Sequence, residues 1–165
     1  MRSSRLRGES GASLVEFALV LPVFFTVMLG MFTGGLAYNR KLSVTQATRE
    51  GARYGATLPL TAEPTLDDWL RRVANVTVSS SESELRSDRP GVVVCVSYVA
   101  SSGAPRRYQK VGTAEAWSNQ TCFDDGRTGE TRVQLVGRRT SKLEALVWSD
   151  DLVLSSQAVS RYEAG

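Results

Sequence analysis

The longest apolar run of the chain comes early. Phe17 to Tyr38 reads FALVLPVFFTVMLGMFTGGLAY and carries no charged side chain. Wound as a helix, these 22 positions cover roughly 33 Å, enough to cross the hydrocarbon core of a bilayer. A buried helix in a soluble core is the competing reading. A chain of 165 residues has little with which to surround so long an apolar rod. Pro22 removes one helical donor and should bend the span. Past the run, Tyr38 to Ala56 should continue the helix outside the membrane, and Pro59 ends it at the latest.

The rest alternates in shorter pieces. Thr65 can cap a helix with Asp68 three positions on, and Leu66, Trp69, Leu70 and Val73 follow at helical spacing. Arg71 and Arg72 fall on the other side of it. Ser79 to Gly91 is polar and serine-rich, hence a loop. The β-branched run Val92 to Val99 predicts a largely buried strand, Arg132 to Gly137 a second and Leu152 to Arg161 a third. Between the last two, Ser141-Lys-Leu-Glu144 has the form of a capping box and predicts a short helix through Trp148. The expected fold class is α+β: one long N-terminal helix, then a small antiparallel-sheet domain with short helices. The expected divisions are a basic leader 1–11, a long helix 12–58 and an extracytoplasmic domain 59–165.

Charge adds an orientation. The net charge is +3, and Arg2, Arg5 and Arg7 against Glu9 supply +2 of it at the very start of the chain. Arg40 and Lys41 follow the run, so the positive-inside rule favours, by a small margin, a cytoplasmic N-terminus and an extracytoplasmic domain. No basic stripe interleaved with aromatics is present, so nucleic acid is not an expected partner. Gly35-Leu36-Ala37 would serve as a secretory cleavage site, but the apolar stretch is much longer than the roughly 7–15 residues of a signal core.

Composition narrows the chemistry. The chain contains no histidine, which removes the commonest general base and metal ligand. Adjacent acidic pairs, Asp67-Asp68 and Asp150-Asp151, point apart on a helix or strand. No catalytic residues, metal or cofactor are expected. Asp124, Asp125 and Glu130 do not have the spacing of a calcium loop and suit an ordinary turn. Cys95 falls in an expected strand and Cys122 in a loop. A bridge between them would suit an oxidising compartment and stabilise the domain by about 3–4 kcal/mol. Two unpaired buried cysteines are the alternative.

Small residues recur at four-residue spacing. Gly30 and Gly34 form one pair inside the span; Ala47, Gly51 and Gly55 form a stripe beyond it. Such stripes let helix backbones approach closely. In a water-exposed helix the second stripe sacrifices helix propensity, which argues that something packs on it.

Glu16 stands at the leading edge of the span, within Gly11-Ala12-Ser13-Leu14-Val15-Glu16-Phe17. A carboxylate at the bilayer centre costs on the order of 2–3 kcal/mol, less near the interface. It either sits at the headgroup boundary or has a function. A basic leader, a glycine, four residues and then Glu-Phe opening a long apolar helix resembles the processing site of type IV prepilins. That resemblance implies cleavage by a membrane peptidase between Gly11 and Ala12. It also implies a new N-terminal amine four residues before Glu16, for pairing between neighbouring subunits.

The stretch GESGASLVEFALVLPVFF from Gly8, followed by ATREGARYGA ending at Ala56, is similar to the TadE-like proteins of the tight-adherence (Tad) pilus. LVLSSQAVSRYE, from Leu152 to Glu163, is similar to that family's closing strand. The resemblance implies a non-enzymatic minor pilin or pseudopilin, with other pilins, Tad assembly proteins, a prepilin peptidase and the membrane as partners. An uncleaved, single-span scaffold of a secretion or envelope complex is the alternative.

Overall fold

The computed structural model describes residues 9–145 and 148–163. Its first element, α1, is one helix of 49 residues from Glu9 to Thr57. Pro22 lies inside it without ending it, and the Thr26 hydroxyl donates to the Pro22 carbonyl at 2.7 Å. From residue 11 to residue 36 almost every described side chain is exposed. Above that level burial becomes periodic. Ala37, then Ser43 and Val44, Ala47 and Thr48, Gly51 and Ala52, and Gly55 and Ala56 are buried. Steps of three and four residues put these positions on one face of the helix. The helix stops at Thr57, just ahead of Pro59.

A single 3-10 turn, Leu60–Ala62, leads to helix α2, Leu66–Ser79. Thr65 caps it as expected: its hydroxyl oxygen accepts from the Asp68 backbone N–H at 3.1 Å and donates to the Asp68 carboxylate at 2.6 Å. Asp67 and Asp68 place negative charge in the first turn, where the helix dipole favours it. Trp69, Leu70, Val73, Ala74 and Thr77 are buried.

Five strands follow in one antiparallel sheet: β1 Val93–Val99, β2 Arg106–Val111, β3 Ala114–Ser118, β4 Arg132–Ala145 and β5 Trp148–Arg161. Their order is β3-β2-β1-β4-β5. The sheet thus combines a β1-β2-β3 meander with a long β4-β5 hairpin added on the other side of β1.

Two features differ from the expectation. Strands β2 and β3 were not expected: RRYQKV is mostly polar, AEAWS carries a single large apolar residue, and β3 is an edge of the sheet. They are joined through Gly112, whose φ of +58° suits glycine. Tyr108 and Trp117 are register partners, and their rings meet at a tilt of 57° across the pair with centroids 5.4 Å apart. Second, Ser141–Glu144 does not open a helix: it is strand in β4. The register runs continuously from Arg132 opposite Arg161 to Ala145 opposite Trp148. A complete inter-strand ladder and the burial of Ser141 outweigh a local capping pattern. Of the expected helix, Leu146 and Val147 lie outside the described residues.

Both faces of β1 are covered. On the inner face Val94 and Val96, with Val133 and Leu135 of β4, pack under α1 and α2. On the outer face lie Cys95, Ser97, Arg132 and Gln134, all buried. The connection from β3 to β4 crosses this side. It is fastened by the Cys95–Cys122 disulfide, by the Cys122 N–H donating to the Ser97 hydroxyl, and by a two-pronged Arg132–Asp125 ion pair at 2.8 Å.

Candidate functional site

The candidate site is α1 itself, and its two halves have different surroundings. In the lower half, Gly11, Ala12, Glu16 and Phe17 all lie on exposed helix. The helical register puts Ala12 and Glu16 on the same face, one turn apart. Among the described residues no ion pair involves Glu16. The leader arginines Arg2, Arg5 and Arg7 lie outside the described residues. Phe17, Leu19, Phe24, Phe25, Met31 and Phe32 are large apolar side chains in open surroundings, Met31 74 % exposed. Exposed apolar surface of this extent needs a bilayer or a partner chain to cover it. This is one helix long and apolar enough to cross a membrane. Gly30 and Gly34 belong to the same open surface: among the described residues, a Cβ added at either would meet nothing within 4 Å.

The upper half is already occupied. Ala47, Gly51 and Gly55 do not lie on a water-exposed face; they form part of the stripe that α1 buries against its own domain. A Cβ on Gly51 would stand 1.9 Å from the Thr77 hydroxyl oxygen of α2 and 2.8 Å from Leu135 Cδ1 of β4. One on Gly55 would lie 3.1 Å from Val133 and 3.2 Å from Val73. The close approach is reciprocal, because Gly137 of β4 leaves room for Thr48 Cγ2, 2.7 Å from where its own Cβ would be. Glycine is needed here to bring helix and sheet together.

Polar contacts fix the same interface. Ser43 donates to the Ser81 carbonyl at 2.9 Å, and Thr48 to the Ser156 hydroxyl at 2.9 Å. Arg40 donates to the Ser141 hydroxyl at 2.9 Å, and Lys41 to the Ser155 carbonyl at 2.9 Å. At the far end, the Trp69 indole N–H and the Tyr162 hydroxyl both donate to the Leu58 carbonyl, at 3.2 and 3.3 Å. Trp69, Tyr98 and Tyr162 meet edge to face around this point. Trp69 is therefore a core aromatic. Sequence spacing identifies Ala47, Gly51 and Gly55 but misses Ser43, Thr48, Ala52, Ala56 and Gly137. The pairs of small residues at steps of three and four from Ser43 to Ala56 were the available signal; nothing marked Gly137.

Asp124, Asp125 and Asp67 are held by donors of the domain. Asp124 accepts from the Gly126 N–H, and Asp125 from the Arg127 N–H as well as from Arg132. Asp67 accepts two hydrogen bonds from Arg106, at 2.7 and 2.6 Å. That hydrogen bonding is the main reason its carboxyl is held below the ordinary value, with the charges of Arg106 and Arg71 adding to it against the opposing effect of burial.

No curated protein and no solved structure shows significant similarity to the chain. Residues 11–53 match the family model described as TadE-like protein. The match begins at Gly11, spans the exposed apolar half of α1 and takes in most of the buried small-residue stripe. Over residues 11–53, about a quarter of its length, the chain is similar to TadE-like proteins.

Proposed function

We propose that this chain is a minor pilin or pseudopilin of a Tad-type pilus, anchored by the lower half of α1 and without enzymatic activity of its own. The observation that carries the reading is the pairing of two features in one TadE-like segment: a Gly11-x-x-x-x-Glu16-Phe17 motif and a long exposed apolar helix with a folded domain at its far end. The N-terminus lies in the cytoplasm and the domain outside it, where the Cys95–Cys122 bridge persists. A prepilin peptidase cuts after Gly11. The new Ala12 amine and the Glu16 carboxylate then share one helix face, and each pairs with its counterpart on a neighbouring pilin. Two charges in an apolar bundle are thereby neutralised together, which specifies register between subunits more than it adds stability. Gly30 and Gly34 let a second helix come close to the exposed face.

Intact mass and N-terminal sequencing of the protein recovered from native membranes test this reading. A chain starting at Ala12 is expected. One retaining Met1 or Arg2 would overturn the processing step and favour the uncleaved scaffold, while a start near Tyr38 would mean ordinary secretion.

A further inference from the structure

Where α1 leaves the apolar run, a cavity of about 450 Å³ opens between the helix and the domain. Its lining divides by chemistry. Thr33 and Leu36 of α1 belong to the last turns of the apolar run; Arg40, Arg89, Arg139 and Lys142 bring four cations to the same cavity, with Pro90 beside them. Such a volume suits a small ligand, and the split lining suits a ligand with an apolar and an anionic end.

The cations converge because the fold holds them there. Arg40 is fixed by its hydrogen bond to Ser141. Arg139 is buried and paired with Glu84. Burial first, and the Arg40 charge second, lower the Arg139 pKa, as expected where like charges face one cavity. The loop carrying Arg89 is clamped to β4: the Thr140 N–H donates to the Pro90 carbonyl at 3.0 Å, and Gly91, at φ +62°, lies flat against Thr140. Among the described residues no carboxylate forms an ion pair with Arg40, Arg89 or Lys142. The nearest candidate in register is Asp151, opposite Lys142 on β5. One of the four cations is thus compensated, and three remain available to an anion.

We propose that this cavity binds the headgroup phosphate of an anionic phospholipid in the leaflet on the domain's side, with Arg40, Arg89 and Lys142 on the phosphate and Leu36 against the start of the acyl chain. The proposal rests on the lower half of α1 spanning a bilayer. The height of the site chooses a lipid over a free anion: Leu36 lies two residues inside the end of the apolar run and Arg40 two residues beyond it, about 6 Å of helix across the interface. Phosphates of the headgroup layer occupy that level, and juxtamembrane Lys and Arg are attracted to anionic lipid there.

The test uses the full chain in detergent micelles, mixed with equal amounts of phosphatidylglycerol and phosphatidylcholine, and reads bound lipid by native mass spectrometry. Phosphatidylglycerol should be retained in preference. The Arg89→Gln/Lys142→Gln variant, whose two side chains are exposed and outside the core, should lose roughly thirtyfold of that affinity while still forming the Cys95–Cys122 bridge. Equal retention of the two lipids, or full retention by the variant, would overturn the proposal. So would displacement of the lipid by millimolar inorganic phosphate, which would make the site one for a free anion. A second copy bound in place of lipid, and lost in the variant, would overturn it in favour of a contact between chains. Alkaline extraction of native membranes separates the two levels of inference. Release of the chain would sink the membrane span itself, whereas retention without lipid preference would sink only the cavity assignment.

Discussion

Helix α1 presents Phe17, Phe24, Met31 and Phe32 to open surroundings below residue 37, and Val44, Ala47, Gly51 and Ala52 to its own domain above it. The backbone is continuous across that boundary, and the chemistry is not. Below, side chains are large and apolar all round, as suits a helix whose solvent is lipid or other helices. Above, apolar and small residues keep to one face, with Arg49, Glu50 and Arg53 exposed on the other. Small side chains in the upper half serve intrachain contact, because Gly51, Gly55 and Gly137 remove the Cβ atoms that would keep helix and sheet apart. Among the described residues, a Cβ added at Gly30 or Gly34 of the lower half would meet nothing within 4 Å. Equivalent sequence spacing therefore has two meanings, and what decides between them is whether the domain reaches that level of the helix.

Perturbing the domain without touching the lower half should separate the two roles most strongly. Replacing both cysteines (Cys95→Ala with Cys122→Ala) opens a link between positions 27 residues apart and should cost the domain about 3–4 kcal/mol. Denaturant unfolding of the domain would measure that loss, while membrane retention of the chain should not change. The next largest effect should come from Gly51→Ala. Its new methyl would collide with Thr77, whose hydroxyl is held by the Val73 carbonyl at 2.9 Å, and the overpacking should cost about 1–3 kcal/mol. Gly34→Ala is the matched control: domain stability should stay within about 0.5 kcal/mol, and recovery of the chain in sheared filaments should fall. The smallest effect is one of pH. The Asp67 carboxyl titrates below its ordinary value of 3.8 in the folded chain, so the unfolded chain binds more protons over that interval. The stability contributed by the Asp67–Arg106 pair should be complete above that ordinary value and fade as pH falls through the lower, folded one. Asp67→Asn should flatten this part of the domain's acid unfolding curve and leave the span unaffected.

Much of this division was legible in the residues. The uncharged run from Phe17 to Tyr38, the end of the helix before Pro59, the Thr65 cap and the inward set Leu66, Trp69, Leu70 and Val73 follow from local rules that tertiary structure did not override. The strand at Val93–Val99 was equally plain, since a β-branched run covered on both faces has no polar alternation to confuse it. The β4 and β5 strands were seen only in part. Their far ends pair with each other beyond the rest of the sheet, and Ser141-Lys-Leu-Glu144 satisfies a helix rule whose outcome depends on partners distant in sequence. Strands β2 and β3 carry one aromatic each on the core side, Tyr108 and Trp117, amid charged neighbours, too few apolar positions to establish a period. In the candidate site the Gly11 to Phe17 motif is a local pattern and could be read directly. The partner of the Ala47-Gly51-Gly55 stripe could not, because identifying Thr77, Leu135 and Val133 requires knowing how the sheet folds back onto the helix.

The upper half of α1 belongs to the domain and the lower half does not. Two shortened chains test it directly by reversible denaturant unfolding in water: one beginning at Tyr38, the other at Leu60. The first should be soluble, form the Cys95–Cys122 bridge and unfold in a single cooperative transition; the second, without the stripe that covers Val133 and Leu135, should not fold. An equally stable domain starting at Leu60, or aggregation of the chain starting at Tyr38, would contradict it.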